Sequence, residues 1–135
     1  MALISKYHSD FYKIEVDEAR KLLKAVWLRP VSAEEAVLGG TRLYEVLRDT
    51  GMELAIADAR VITTLSSDTK DWLSSQFYKL LSDTKLKRLA RVVPSALYAK
   101  VAVESVVTRA EALGVTRFEV KNFSSPGEAL SWLMN

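Results

Sequence analysis

Asp58 and Arg60 stand two apart at the end of a short apolar run, Leu54-Ala55-Ile56-Ala57. Along an extended chain that spacing turns both side chains to one face. There they could pair, or Arg60 could hold an anion beside the helix that follows. Bracing of the loop by a structural ion pair is the commoner use of such a spacing. Ser66, Ser67 and Asp68 come next, at the head of an amphipathic pattern built on Trp72, Leu73, Phe77, Leu80 and Leu81. Serine and aspartate cap free helical N–H groups. A phosphate on either serine would be favoured by the same N–H groups and by the helix dipole. Asp68 and Asp71 already bring negative charge to that first turn, so capping is the expected role.

Other chemistry finds less support. His8 is the only histidine and cysteine is absent. No spaced ligand set for a metal exists, and no cofactor is expected. Gly39-Gly40 falls inside a helical pattern, where it permits close packing rather than phosphate binding. Lys85, Lys87, Arg88 and Arg91 form the densest basic cluster. No aromatic residue is interleaved for base stacking, so a solvated rim is expected and nucleic-acid binding is not. Trp27, Trp72 and Trp132 suit core packing first. A pocket between the Trp72 helix and the one after it, lined by Trp72, Tyr78, Leu97 and Tyr98, would take an apolar ligand. No nucleophile, base and oxyanion-stabilising group can be nominated together, so an enzyme is not expected.

The elements that must position these residues are legible. The 135 residues carry 49% apolar and 27% charged side chains and a formal charge of +2. That is one ordinary α/β domain over residues 1–135. Residues 11–16 alternate polar and apolar, and Leu22–Leu28 forms a second strand after the turn Asp17–Lys21; the two make an N-terminal hairpin. Ser32 and Glu35 form a capping box at the head of a helix whose stripe is Ala36, Gly40, Leu43 and Leu47, closed by Gly51. Leu54–Ala57 has no polar alternation and is expected to be covered on both faces. The Trp72 helix runs to about Thr84, Leu86–Val93 is a strand, and Pro94-Ser95 starts a helix with the stripe Leu97, Val101, Ala102, Ser105, Val106, Ala110 and Leu113, which Gly114 closes. Val115–Phe123 reads as an edge strand. Ser125, Pro126 and Glu128 start a last short helix carrying Ala129, Trp132 and Leu133. The order predicts βα units on a mixed, mostly parallel five-stranded sheet with four helices. The run Met1–Lys6 lacks the apolar core of a signal peptide, and no window is long and apolar enough to span a membrane. A cytoplasmic protein without integral membrane association is expected.

The chain resembles the SpoIIAA-like proteins, a bacterial group of the STAS superfamily of anti-sigma-factor antagonists. The resemblance rests on Ala25-Val26-Trp27-Leu28-Arg29-Pro30, on Asp58-Ala59-Arg60, on Trp72, and on the ending Phe123-Ser124-Ser125-Pro126-Gly127-Glu128-Ala129-Leu130-Ser131-Trp132-Leu133. It spans about Tyr7 to Leu133. It implies a small STAS-like domain with no enzyme activity. In the regulatory STAS proteins a phosphorylatable serine opens the helix after the aspartate-ending strand, followed closely by glycine. Here Ser66 and Ser67 lie in the corresponding place, but Asp68 and Thr69 replace the glycine. The expected function is therefore non-catalytic protein–protein contact through Asp58 to Lys70, with an unidentified protein partner. The alternative is a carrier or sensor of a small apolar or lipid-like ligand. A homodimer could form through the edge strand Val115–Phe123 or the hairpin.

Overall fold

The alternation of residues 11–16 becomes β2 (Tyr12–Asp17), which pairs antiparallel with β3 (Leu22–Trp27). Tyr12, Ile14 and Val16 are buried on one face, as their spacing requires. At the turn between the strands Lys21 takes a left-handed backbone, and Asp17 Oδ1 accepts from the Arg20 amide. The computed structural model describes residues 3–114 and 116–135. Met1, Ala2 and the expected strand start at Val115 lie outside the described residues.

One strand more than expected is present. β1 (Ile4–His8) pairs antiparallel with β2, which makes the sheet six-stranded rather than five-stranded. It is an edge strand exposed along most of its length. No buried side of the pleat therefore imposes alternation on its sequence, and that is why the segment reads as a lead-in.

The sheet runs β1-β2-β3-β4-β5-β6 in chain order, with β4 (Leu54–Asp58), β5 (Arg88–Val92) and β6 (Glu119–Phe123) parallel to β3. β6 is the second edge. The crossover helices lie on one face. The first, α1 (Ala33–Thr50), starts at the Ser32–Glu35 capping box and stops at Gly51, whose φ of 68° a side chain would resist. Next comes one helical run of α2 (Ser67–Trp72), a π-helical turn (Leu73–Phe77) and α3 (Tyr78–Ser82), ending short of the expected Thr84. Then α4 (Leu97–Ala112) returns to β6. On the opposite face lies only α5 (Pro126–Met134), whose Ala129 and Leu133 pack on Leu22, Ile56, Ala90 and Val92. Counting the run from Ser67 to Ser82 once, the described residues form four helices. β4 is covered on both faces, with Ala55 in the core under α1 and Ile56 in the core under α5.

α1 comes close to the sheet because Gly39 and Gly40 carry no side chain. A Cβ on Gly39 would stand 2.7 Å from Trp27 Cη2, and one on Gly40 would stand 2.9 Å from Trp72 Cη2. The pair of glycines thus packs α1 between two tryptophans, as their place in the helical pattern suggests. Arg29 fastens the start of this helix, donating to both Asp10 and Glu35 and lying over the Phe11 ring.

α4 departs from its expected phase. Ala99, Val103, Val106, Val107 and Ala110 face the core, while Leu97, Val101 and Leu113 of the expected stripe are exposed. The helix is apolar on most of its circumference, so periodicity admits two stripes and only packing selects one.

Candidate functional site

Asp58 ends β4 buried, and Arg60 lies two residues on with its side chain half in solvent. The guanidinium grips the carboxylate with both nitrogens: Nη2 donates to Oδ2 at 2.8 Å and Nε donates to Oδ1 at 3.0 Å. The Arg60 amide donates to Oδ1 as well, at 3.1 Å. Asp58 therefore closes the loop onto itself, and Arg60 is occupied rather than poised for an external anion. Ser66 is the N-cap of α2; its Oγ accepts from the Thr69 amide at 3.1 Å and lies 2.8 Å from Thr69 Oγ1. Ser66, Ser67 and Asp68 are exposed. Among the described residues no hydrogen bond joins this cap to the Asp58–Arg60 pair.

The carboxyl-terminal halves of β3, β4 and β5 border the interior on the side of the crossover helices. A cavity of about 80 Å³ lies there between the sheet and the crossover helices. Trp27, Ala57 and Arg91 line it from β3, β4 and β5, and Tyr12 lines it from β2. Leu43 closes it from α1, Ile62 and Leu65 from the loop after β4, and Val103 and Val106 from α4. Leu73 and Phe77, the two ends of the π-helical turn, and Tyr78 just beyond it complete the wall. Such turns often mark functional positions because they re-aim side chains out of the regular α-helical register. Tyr12 is held by stacking on Trp27, with ring centroids 3.9 Å apart.

Three polar groups interrupt this apolar wall. Arg91 is only 5% exposed. Its Nη2 donates to the Val103 carbonyl, its Nη1 has no hydrogen-bond partner, and no carboxylate pairs with it among the described residues. The buried Tyr12 and Tyr78 carry the other two, their hydroxyls. Burial pushes the ionisation of both phenols up. At Tyr12 the neighbouring Tyr78 adds to the rise, and at Tyr78 Arg91 pulls the other way. Both are thus neutral phenols that can donate a hydrogen bond.

The pocket expected from Trp72, Tyr78, Leu97 and Tyr98 does not form as such. Tyr78 lines the central cavity and Trp72 packs beside it, stacked on Phe77 at 5.5 Å. Leu97 and Tyr98 are 75% and 93% exposed on the outside of α4. The rotation of that helix from its expected phase, which keeps Val106 and Ala110 inside but turns Leu97 out, is the reason. Arg91 requires the second correction. It is not part of a solvated rim with Lys85, Lys87 and Arg88. It follows Leu89 by two residues, so the pleat turns it to the same covered face, under α4. Lys87 instead pairs with Glu53 at 3.0 Å, and Arg88 lies over the Trp132 ring. The signal that would have found Arg91 is its parity with Leu89.

Among the described residues no group of three or more histidine, aspartate or glutamate side chains could hold a metal ion, and no helix is long and apolar enough to cross a membrane. Comparison with protein families, with curated proteins and with solved structures returns no match for the chain.

Proposed function

We propose that this protein is a non-catalytic, SpoIIAA-like binding module that holds a small apolar ligand in the cavity beneath its crossover helices. The N-terminal hairpin followed by successive βα units supports the SpoIIAA-like part of the reading. The observation that carries the ligand part is the cavity itself. It is apolar, bounded by four strands and three crossovers, and lies against the carboxyl-terminal halves of β3, β4 and β5. Well-packed interiors leave few voids larger than a water molecule, so a void of about 80 Å³ is room kept for an occupant. Xenon tests this without presuming the ligand, since it enters dry apolar cavities. Methyl resonances of Leu43, Ile62, Leu65, Val103 and Val106 should shift saturably under xenon pressure. Ala57→Met, which fills the void, should abolish the effect. Shifts scattered over the surface instead would set the reading aside.

A second reading, regulatory contact with a protein, is favoured by one feature. Leu97, Tyr98 and Val101 form an exposed apolar stripe on α4, and Tyr98 and Val101 border a shallow hollow shared with Thr63, Thr64, Leu65 and Lys70. Contiguous exposed apolar surface marks interaction sites. The stripe thereby adjoins the segment from Asp58 to Lys70. A partner recovered by the wild-type protein and lost from Tyr98→Ser/Val101→Ser, at unchanged melting temperature, would support this reading. Retention of the partner by that variant would remove it.

A further inference from the structure

The cavity is apolar except where Arg91, Tyr12 and Tyr78 meet it, and those three groups are all hydrogen-bond donors without an anion to serve. We propose that the cavity takes a small monocarboxylate, its carboxylate against Arg91 and the two tyrosine hydroxyls and its short apolar tail among Leu43, Ile62, Leu65 and Val103. The proposal rests on the reading of the cavity as a ligand site and adds the chemical class of the ligand.

The argument begins with charge. An arginine keeps its proton in folded proteins, so burying it leaves a full positive charge in a low-dielectric interior. Such a charge is costly unless it is paired and hydrogen-bonded. Arg91 has one backbone carbonyl, that of Val103, and a second nitrogen with nothing. Asp58 is committed to Arg60 and Asp71 to Arg109, and the half-buried Glu104, next to Val103 on α4, makes no ion pair with Arg91. Glu53, before β4, serves Lys21 and Lys87. From the neighbouring strand, Asn122 lies in register opposite Arg91, and its buried Oδ1 also lacks a partner. An amide oxygen can accept from the guanidinium but cannot offset its charge. A carboxylate does both.

The hydroxyls of Tyr12 and Tyr78 point to the same class. Both side chains are buried and line the cavity, and neither hydroxyl has a hydrogen-bond partner among the described residues. Buried tyrosine hydroxyls normally find one. As neutral phenols they donate to an anion. One guanidinium with two neutral donors balances a single negative charge; a phosphate dianion would bring a second charge with nothing to meet it. Size sets the tail. At about 80 Å³ the cavity is roughly half the ~150 Å³ void that accommodates benzene. A two- or three-carbon acid fits that space, and an acid larger than benzene does not.

The probes are propanoate, its uncharged isostere propanamide, and xenon, titrated into the full chain at neutral pH by calorimetry and NMR. Wild-type protein should bind the acid about tenfold or more tightly than the amide, the factor expected of a charge-assisted hydrogen bond. Arg91→Met should lose that preference while still admitting xenon. Tyr78→Phe, which keeps the ring and removes one donor, should weaken the acid and leave the amide unchanged. Equal binding of acid and amide, with xenon still entering, would overturn the carboxylate assignment and leave the cavity reading intact; a water bridging Arg91 and Asn122 would then suffice. Exclusion of xenon together with both organic probes would overturn the two readings at once.

Discussion

Gly39→Ala puts packing and helix propensity in direct opposition. Position 39 lies inside α1, where alanine is favoured over glycine by about 1 kcal/mol. The added methyl would stand 2.7 Å and 2.9 Å from Trp27 Cη2 and Cζ3 and 3.0 Å from Tyr12 Cδ2. Carbon atoms pack best at roughly 3.5–4.0 Å, so each of these contacts is short by half an ångström or more. The indole cannot swing aside easily. It is stacked on Tyr12 at 3.9 Å and on Phe11 at 6.5 Å, and Tyr12 is fully buried. Overfilling such a site costs about 1–3 kcal/mol. With the propensity gain of about 1 kcal/mol subtracted, the net loss should be between about 0 and 2 kcal/mol. For a chain of 135 residues that is a fall in melting temperature of up to about 7 °C. Thermal and urea unfolding of the wild type and the variant measure it. In a Trp27→Leu background the two shortest contacts are gone and only that to Tyr12 at 3.0 Å remains, so Gly39→Ala should cost less or turn neutral, with a coupling energy of about 1–3 kcal/mol across the cycle. A rise in melting temperature for Gly39→Ala alone, or additive effects of the two substitutions, would refute the claim that Trp27 dictates glycine there.

Further outcomes follow from other sites. Arg91→Met should stabilise the ligand-free protein by about 1–3 kcal/mol in urea unfolding, because it removes an unpaired buried charge at the loss of one hydrogen bond to Val103. Hydrogen bonds from Arg29 and from the Ser32 amide hold the Glu35 carboxyl down to about 2, so it is more acidic folded than unfolded. Its contribution is therefore complete above its ordinary value near 4.5 and disappears as pH falls toward 2. Glu35→Gln should flatten the acid limb of the stability curve in that window, and an unchanged limb would dismiss the linkage. Ser66→Ala should cost about 1 kcal/mol through loss of the cap on the Thr69 amide, whereas Ser67→Ala should stay within about 0.5 kcal/mol. Equal effects of these two would mean that Ser66 does not cap α2.

Local chemistry made much of this architecture readable in the chain itself. The Ser32–Glu35 box and the Ser125-Pro126-Glu128 start are formed as their sequences require, since a cap is decided within one helical turn. The hairpin, the doubly covered strand Leu54–Asp58 and the close approach at Gly39-Gly40 follow from patterns of a few residues. Asp58 and Arg60 pair across the turn that follows β4, where the Arg60 amide also donates to Asp58, and the two-residue spacing that allows it is visible without any fold. The remaining features depend on which surfaces meet. β1 shows no alternation because an exposed edge demands none, so only its pairing with β2 reveals it. The apolar residues of α4 permit two faces, and contact with the sheet turned Val103 and Val107 inward beside the expected Val106 and left Leu97 and Tyr98 in solvent. That one choice of phase dispersed the expected pocket and also roofed Arg91. A basic residue among four in seven positions looks like part of a solvated strand, and locally only its parity with Leu89 sets it apart. Its burial beside Tyr12 and Tyr78 is set by strands and helices far apart in sequence, because desolvation is a property of the assembled layers and not of any segment within them.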